Sequence, residues 1–275
     1  MAKKSKALEL VLAQGLCDNE KEARACIMAG EIFAGTQRVT GAGQMLSADS
    51  VLRLRGGQKP YVAKGGLKLQ GAIADFGISV SGRVCIDAGA STGGFTDCLV
   101  KHGARTVYAV DVGYGQLMGS LRQDVHVVNL EKTNISDEKL LTLDPRPTLG
   151  TVDLSYLSLR KGIPAFAEIL HHEGELICLV KPLFEVEDME ARRSGILPEG
   201  AYAPVLHDLI RDVNALPYAR AVGVTHSPVT GNAGTREFFL HVCLSETPAS
   251  APELGAAVAA AVEQALALED YDKKK

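Results

Sequence analysis

The string Asp87-Ala-Gly89-Ala-Ser91-Thr92-Gly93-Gly94-Phe95 follows a short apolar run, Arg83-Val-Cys-Ile-Asp87. Glycines at such a place let the backbone turn sharply and approach a ligand with no Cβ in the way. A helix starting at Gly94 then offers the unpaired N–H groups of its first turn. The string is not G-x-G-x-x-G, and no Gly-Lys-Ser/Thr of a P-loop occurs. Asp111 ends the next apolar run, 22 residues after Gly89. An acidic side chain there accepts hydrogen bonds from ribose hydroxyls. Asp87 adds a second negative group beside the turn, which suits a cofactor carrying an ammonium better than one carrying a pyrophosphate. The combination favours S-adenosylmethionine over a nicotinamide dinucleotide. An ordinary strand-to-helix loop is the plain alternative for the glycines alone, and Asp111 weighs against it. Ser91 and Asn134 are further cofactor candidates, although Asn is also a common turn residue. Lys181 directly follows the apolar run 176–180. That places its amine at a strand C-terminus, where open α/β sheets hold their ligands.

These residues need a scaffold, and the pattern supplies one. From about residue 61 apolar runs of the buried parallel type alternate with helical stretches. Strands are expected at 83–87, 106–111, 125–128, 148–153, 175–180, 219–224 and 237–244. Helices are expected at 94–102, 159–170 and 205–216. This alternation over some 190 residues argues for a doubly wound α/β sheet. Residues 7–29 read as two short helices, with Asp18 as a cap for the second and Gly30 stopping it. Short strand-like pieces follow at 31–34, 37–40 and 50–54, then a linker at 56–60. The expected division is 1–58, 59–248, and a C-terminal helix with a charged tail over 249–275.

The 275 residues are 46% apolar and 23% charged, with 28 Gly and 11 Pro, which disfavours disordered, collagen-like and disulfide-miniprotein classes. The six cysteines form no CxxC and have no His at ligand spacing, so they read as buried thiols of a reducing compartment. No metal site is expected. No apolar stretch approaches the roughly 18 residues that span a bilayer, and the expected location is the cytoplasm. The net charge of −4 is uneven. The first 70 residues carry 11 Lys/Arg against 6 Asp/Glu, the remaining 205 carry 18 against 27. A basic front on an acidic body points to a polyanionic partner, unless the lysines merely aid solubility.

Several strings in order resemble one family. They are Lys64-Gly-Gly-Leu-Lys68-Leu, Asp87 through Asp97, Asp111-Val-Gly-Tyr-Gly-Gln116-Leu, Asp153-Leu-Ser-Tyr-Leu-Ser-Leu159 and Leu179-Val-Lys181-Pro. Together, over residues 7–245, they resemble the TlyA family, whose members often carry the name hemolysin A. The resemblance implies a Rossmann-like S-adenosylmethionine-dependent methyltransferase domain of the FtsJ type, behind a small N-terminal α+β S4-like RNA-binding domain. It implies 2′-O-methylation of ribosomal RNA at cytidine, on the RNA or on ribosomal subunits. It also implies a Lys-Asp-Lys-Glu catalytic set, carried here by Lys68, Asp153, Lys181 and Glu237.

The chemistry explains such a set. Methyl transfer is an in-line displacement on a sulfonium carbon, and the ribose 2′-hydroxyl must be held close and lose its proton. Positioning alone supplies roughly 7–11 kcal/mol in ideal cases. A neutral lysine can take the proton, and a second cation nearby eases its neutrality. Lys181 is assigned as base or oxyanion partner, Lys68 as orienting the hydroxyl, Asp153 as orienting Lys181, and Glu237 as anchoring a lysine. Which lysine is neutral stays open.

The front module resembles an S4 domain in Ala23-Arg24-Ala25 and Ile27-Met-Ala-Gly-Glu-Ile32. It departs from that pattern at Lys6-Ala-Leu-Glu-Leu and Asp18-Asn19, where basic contacts are missing or acidic. Lys6, Lys21, Arg24, Arg53, Arg55 and Lys64 are the candidate RNA contacts. Lys3, Lys4 and Arg38 are lesser ones, and Lys59 and Lys68 continue the track. Binding through this module is expected to be weak and salt-dependent. Phe33, Tyr61 and Tyr114 are candidate stacking aromatics. Three other functions compete: an RNA-binding module that has lost activity, a membrane-lytic hemolysin, and a small-molecule methyltransferase. The intact four-residue set weighs against the first, the absence of a spanning segment against the second, and the basic front against the third.

Overall fold

The computed structural model describes residues 4–14, 16–17, 20–55, 60–155, 157–186, 189–195, 197–231 and 234–269. Lys3, the Asp18 cap with Asn19, Lys59 and most of the expected linker lie outside them. The chain divides into two compact units between Pro60 and Tyr61.

The first unit contains β1 (Lys4–Lys6), α1 (Ala7–Ala13), α2 (Glu20–Ala29), β2 (Ile32–Ala34), β3 (Gln37–Arg38), β4 (Met45–Ser47) and β5 (Leu52–Leu54). Leu10, Val11, Ala23, Cys26, Ile27, Ile32 and Leu54 form its core. Both expected helices form. Strand β1 pairs antiparallel with β4, a pairing absent from the sequence reading because three residues of mixed polarity show no alternation.

The second unit contains α3 (Gly65–Phe76), β6 (Val84–Ala88), α4 (Gly94–Lys101), β7 (Thr106–Asp111), α5 (Gly119–Arg122), β8 (Val127–Glu131), β9 (Leu149–Val152), α6 (Leu159–Ile169) and β10 (Gly174–Val180). It continues with α7 (Pro182–Glu185), α8 (Met189–Ser194), α9 (Tyr202–Asn214), β11 (Ala219–His226), β12 (Phe238–Leu244) and α10 (Gly255–Ala267). The seven strands form one sheet in the order β11-β12-β10-β9-β6-β7-β8. Strands β10, β9, β6, β7 and β8 run parallel, and β12 is antiparallel to both β10 and β11. Helices α6, α9 and α10 cover one face, and α3 and α4 cover the other. Two-sided burial explains why β6, β9 and most of β10 read as mainly apolar runs, broken only by Asp87 and Thr151.

Strand β8 lies two residues later than expected, with Val125 left exposed. Helix α3 is a stretch for which the sequence reading offered no element. Helix α10 buries Val258, Ala261 and Ala265 in the core shared with α6 and α9, so that part of the expected third segment belongs to the second unit.

Candidate active site

The parallel strands deliver their carboxyl ends to one edge, and the register decides which residues meet there. Ala88 of β6 stands opposite Val152 of β9, so Gly89 and Asp153 leave the sheet side by side. The Asp153 amide donates to the Ala88 carbonyl at 3.0 Å. Cys178 of β10 also pairs with Val152, which brings Lys181 to the same edge. Strand β12 runs the other way, and its first residue, Phe238, faces Val180. That reversal puts Glu237, just before β12, beside the end of β10. Helix α3 then crosses over and supplies Lys68.

All four side chains line one cleft of about 620 Å³, together with Gly89, Ser91 and Gly94 of the glycine turn. They form two ion pairs. Lys68 Nζ donates to Glu237 Oε2, with both side chains only 7% exposed. Lys181 Nζ contacts Asp153 Oδ1, with side chains 19% and 26% exposed. The second contact is an ion pair rather than an aligned hydrogen bond.

The turn itself is held from behind. Gly89 and Gly93 have φ of +87° and +100°, a region L side chains rarely adopt. Gly93 also abuts Leu121 and Leu117, with no room for a Cβ. Asp87 lies beneath the turn, fully buried, accepting from Thr96 Oγ1 at 2.6 Å and Thr151 Oγ1 at 3.0 Å. Burial pushes its carboxyl up to about 7, against the opposing pull of those hydroxyl bonds. It therefore supports the turn and does not line the cleft. Asp111 accepts from the Ser91 amide at 2.8 Å and the Gly113 amide at 2.7 Å, fixing the turn to the end of β7. Asn134 is exposed and uses its side-chain oxygen on Ser136, a local turn contact.

Sequence reasoning overlooked Glu131. Its carboxylate accepts from Asn129 and from the backbone of 116–117, and these bonds, that of Asn129 first, hold it down at about 2. It also overlooked Leu183, Phe184, Tyr202 and Arg236 on the cleft wall. The Lys181-Pro182 step was the available signal, because proline begins a helical turn just where the strand ends.

The charged residues expected to meet RNA fare unequally. Lys6, Lys21, Arg24, Arg53 and Arg55 are exposed on the first unit. Arg24 pairs with Glu20 at 2.6 Å, and Lys6 lies 3.9 Å from Glu9. Arg53 lies over the Phe33 ring at 5.6 Å and donates to the Gly35 carbonyl. Lys64 turns its ammonium onto the carbonyls of Thr230 and Gly231, at 2.9 and 3.1 Å, because α3 places it one turn before Lys68 against the same loop.

At the opposite edge of the sheet, Glu175, His241 and Cys243 cluster within 4.8 Å. Arg83 already holds one oxygen of Glu175 and His241 the other. The group therefore works as an ion network, and a metal ion there would face two resident cations.

Residues 61–243 match the family model of the FtsJ-like methyltransferases. The chain belongs to that family. It is 36% identical over 250 residues, 87% of this chain and 90% of the other, to the 16S/23S rRNA (cytidine-2′-O)-methyltransferase TlyA of Mycobacterium tuberculosis. It is 35% identical to Hemolysin A of Brachyspira hyodysenteriae, over 85% and 97% of the two chains. A solved structure from Streptococcus thermophilus, named as a hemolysin, shares 32% identity with a TM-score of 0.70, covering 97% of each chain. No described helix is long and apolar enough to cross a membrane.

Proposed function

We propose that this chain methylates the 2′-oxygen of cytidine in ribosomal RNA, using S-adenosylmethionine. One observation carries the reading: two lysine–carboxylate pairs, from four separate parts of the chain, converge in one cleft beside the glycine turn. The cleft suits the cofactor. Its turn side is lined by Gly89, Ala90, Ser91, Thr92 and Gly94, so backbone lies open to a ligand there, and Asp111 stands at the adjoining strand end. When bound, S-adenosylmethionine supplies an electrophilic methyl group on sulfonium.

The two pairs divide the remaining work. Lys68 is buried and paired with Glu237, so it shapes the cleft and contributes a fixed, compensated charge. Lys181 is the more exposed amine, and its contact with Asp153 is not an aligned hydrogen bond, which leaves its Nζ able to meet a 2′-hydroxyl. In its neutral form Lys181 Nζ receives the hydroxyl proton, and Asp153 stabilises the ammonium that results. A positioned general base of this kind contributes about 10²–10⁴-fold. Phe184, with Lys181 Nζ 5.9 Å from its ring centre, gives the nucleoside an apolar surface beside the base.

The test is tritiated methyl transfer to isolated ribosomal subunits and to naked ribosomal RNA, with nuclease and mass mapping of the product. Label on a cytidine ribose supports the reading. Label in lipid or small metabolites, with none in RNA, overturns it.

A further inference from the structure

Glu185 is buried at the end of α7, its side chain 2% exposed, and it does not line the cleft. A buried carboxylate has to be matched by donors, and this one takes three. Its Oε2 accepts from Ser158 Oγ at 2.6 Å and from Arg160 Nη1 at 2.8 Å, and its Oε1 accepts from the Leu159 amide at 2.8 Å. Arg160 also donates to the Glu185 carbonyl at 3.1 Å and, through Nε, to Asp212 of α9 at 2.6 Å.

Those donors have a particular location. Ser158 caps α6, which ends the loop that began at Asp153. Glu185 ends the segment that began at Lys181. The loop after β9 and the segment after β10 are thus joined twice. Asp153 and Lys181 join them where they leave the sheet, and Ser158, Leu159 and Arg160 join them to Glu185 four to seven residues later. The carboxylate also presents negative charge to the N-terminus of α6, where the helix favours it. Between the two joints lie Ser155, Pro182, Leu183 and Phe184, all on the cleft wall.

We infer that Glu185 is a positioning residue for methyl transfer: by fastening the far end of the 181–185 segment to the start of α6, it fixes where Lys181 and Phe184 stand in the cleft. The inference rests on the reading of this cleft as the methyl-transfer site. No neutral side chain reproduces the arrangement, because only an ionised carboxylate accepts from all three donors on two oxygens. Glutamine would turn an N–H pair toward one of them, and Arg160 would keep only Asp212 as a charged partner. Displacements of about 1 Å in a catalytic group cost on the order of 10²-fold in rate, so a loosened segment reads out in turnover.

The experiment compares the full-length chain with Glu185→Gln and Ser158→Ala, in single-turnover methylation of ribosomal RNA and in amide hydrogen exchange. Glu185→Gln is expected to lower kcat about tenfold or more, with KM for S-adenosylmethionine and for RNA within about twofold of wild type. Ser158→Ala, which removes one donor only, is expected to lower kcat by a smaller factor in the same sense. It carries the test if Glu185→Gln does not fold. Faster exchange is expected at 154–159 and 183–185, with none in β7. Folded variants with wild-type kcat and wild-type exchange overturn the inference. So does a kcat loss that tracks only the melted fraction. Exchange is read whether or not RNA is methylated, so a wild-type chain that methylates no RNA strikes the functional reading and leaves the fastening of 181–185 judged on its own.

Discussion

Gly89 and Asp153 are packed backbone against backbone: a Cβ built on Gly89 would lie 2.1 Å from the Asp153 carbonyl oxygen. The glycine turn and the strand end that carries the Asp153 carboxylate therefore cannot move independently. Gly89→Ala forces the two apart and also places a side chain at φ +87°. The expected cost is about 1–3 kcal/mol of stability from the backbone alone, with loss of both cofactor binding and turnover. Thermal melting and calorimetric titration with S-adenosylmethionine check it. A variant that binds and methylates normally would show that the close approach does not constrain the site.

Lys181→Ala is expected to separate chemistry from binding. Its removal takes the cation from Asp153, whose side chain is 26% exposed, so the carboxylate keeps some access to water and the fold should survive. Turnover should fall by about 10²–10⁴-fold, while the dissociation constant for S-adenosylmethionine stays within a few-fold. Single-turnover rates beside equilibrium binding provide the comparison. Equal losses in both would assign Lys181 to cofactor binding instead.

The buried pair behaves differently. Glu237→Gln leaves the buried Lys68 ammonium without its counter-charge, which costs about 3–5 kcal/mol and a melting shift on the order of 10 °C. Replacing both partners, as Lys68→Met with Glu237→Leu, should recover most of that stability, since apolar side chains of similar size often match a buried ion pair. Activity should not return. A double variant that is stable and active would reduce the pair to scaffolding.

The parallel strands were legible because burial on both faces leaves β6, β9 and most of β10 mainly apolar, with Asp87 and Thr151 the buried polar exceptions, and Gly30 and Gly103 mark helix ends that a sequence can show. The four cleft residues Lys68, Asp153, Lys181 and Glu237 were readable only as separate strings. Lys68 and Glu237 are 169 residues apart, and nothing local to either says that β12 runs antiparallel and returns Glu237 to the carboxyl edge. Helix α3 escaped notice because its Gly65, Gly66 and Gly71 depress helix propensity. Two of those glycines serve close packing instead, Gly66 under Tyr61 and Gly71 under Pro228. Lys64 reads as a phosphate contact in any linear view. Its carbonyl partners lie 166 and 167 residues away, in a loop whose path the sequence does not reveal.

At the edge of the sheet away from the cleft, Glu175 bridges Arg83 and His241. His241 is raised to about 9: burial opposes its charge, but hydrogen bonds with Cys243 and Glu175 outweigh it. Glu175 is lowered to about 2, chiefly by the hydrogen bond from His241 and then by Arg83. The two shifts act at opposite ends of the pH scale. The histidine, raised from 6.5, stabilises fully below about pH 6.5, and that contribution fades as pH climbs through 9. The carboxylate, lowered from 4.5, stabilises fully above about pH 4.5 and fades as pH falls through 2. The plateau between pH 4.5 and 6.5 should therefore give way to an alkaline decline that His241→Gln abolishes. After screening of a partly exposed pair the decline is about 1 kcal/mol, or roughly 2–4 °C for a unit of this size. Melting curves of wild type and variant from pH 5 to 9.5 measure it. Parallel curves across that interval would mean that His241 binds its proton equally well in the folded and the unfolded chain.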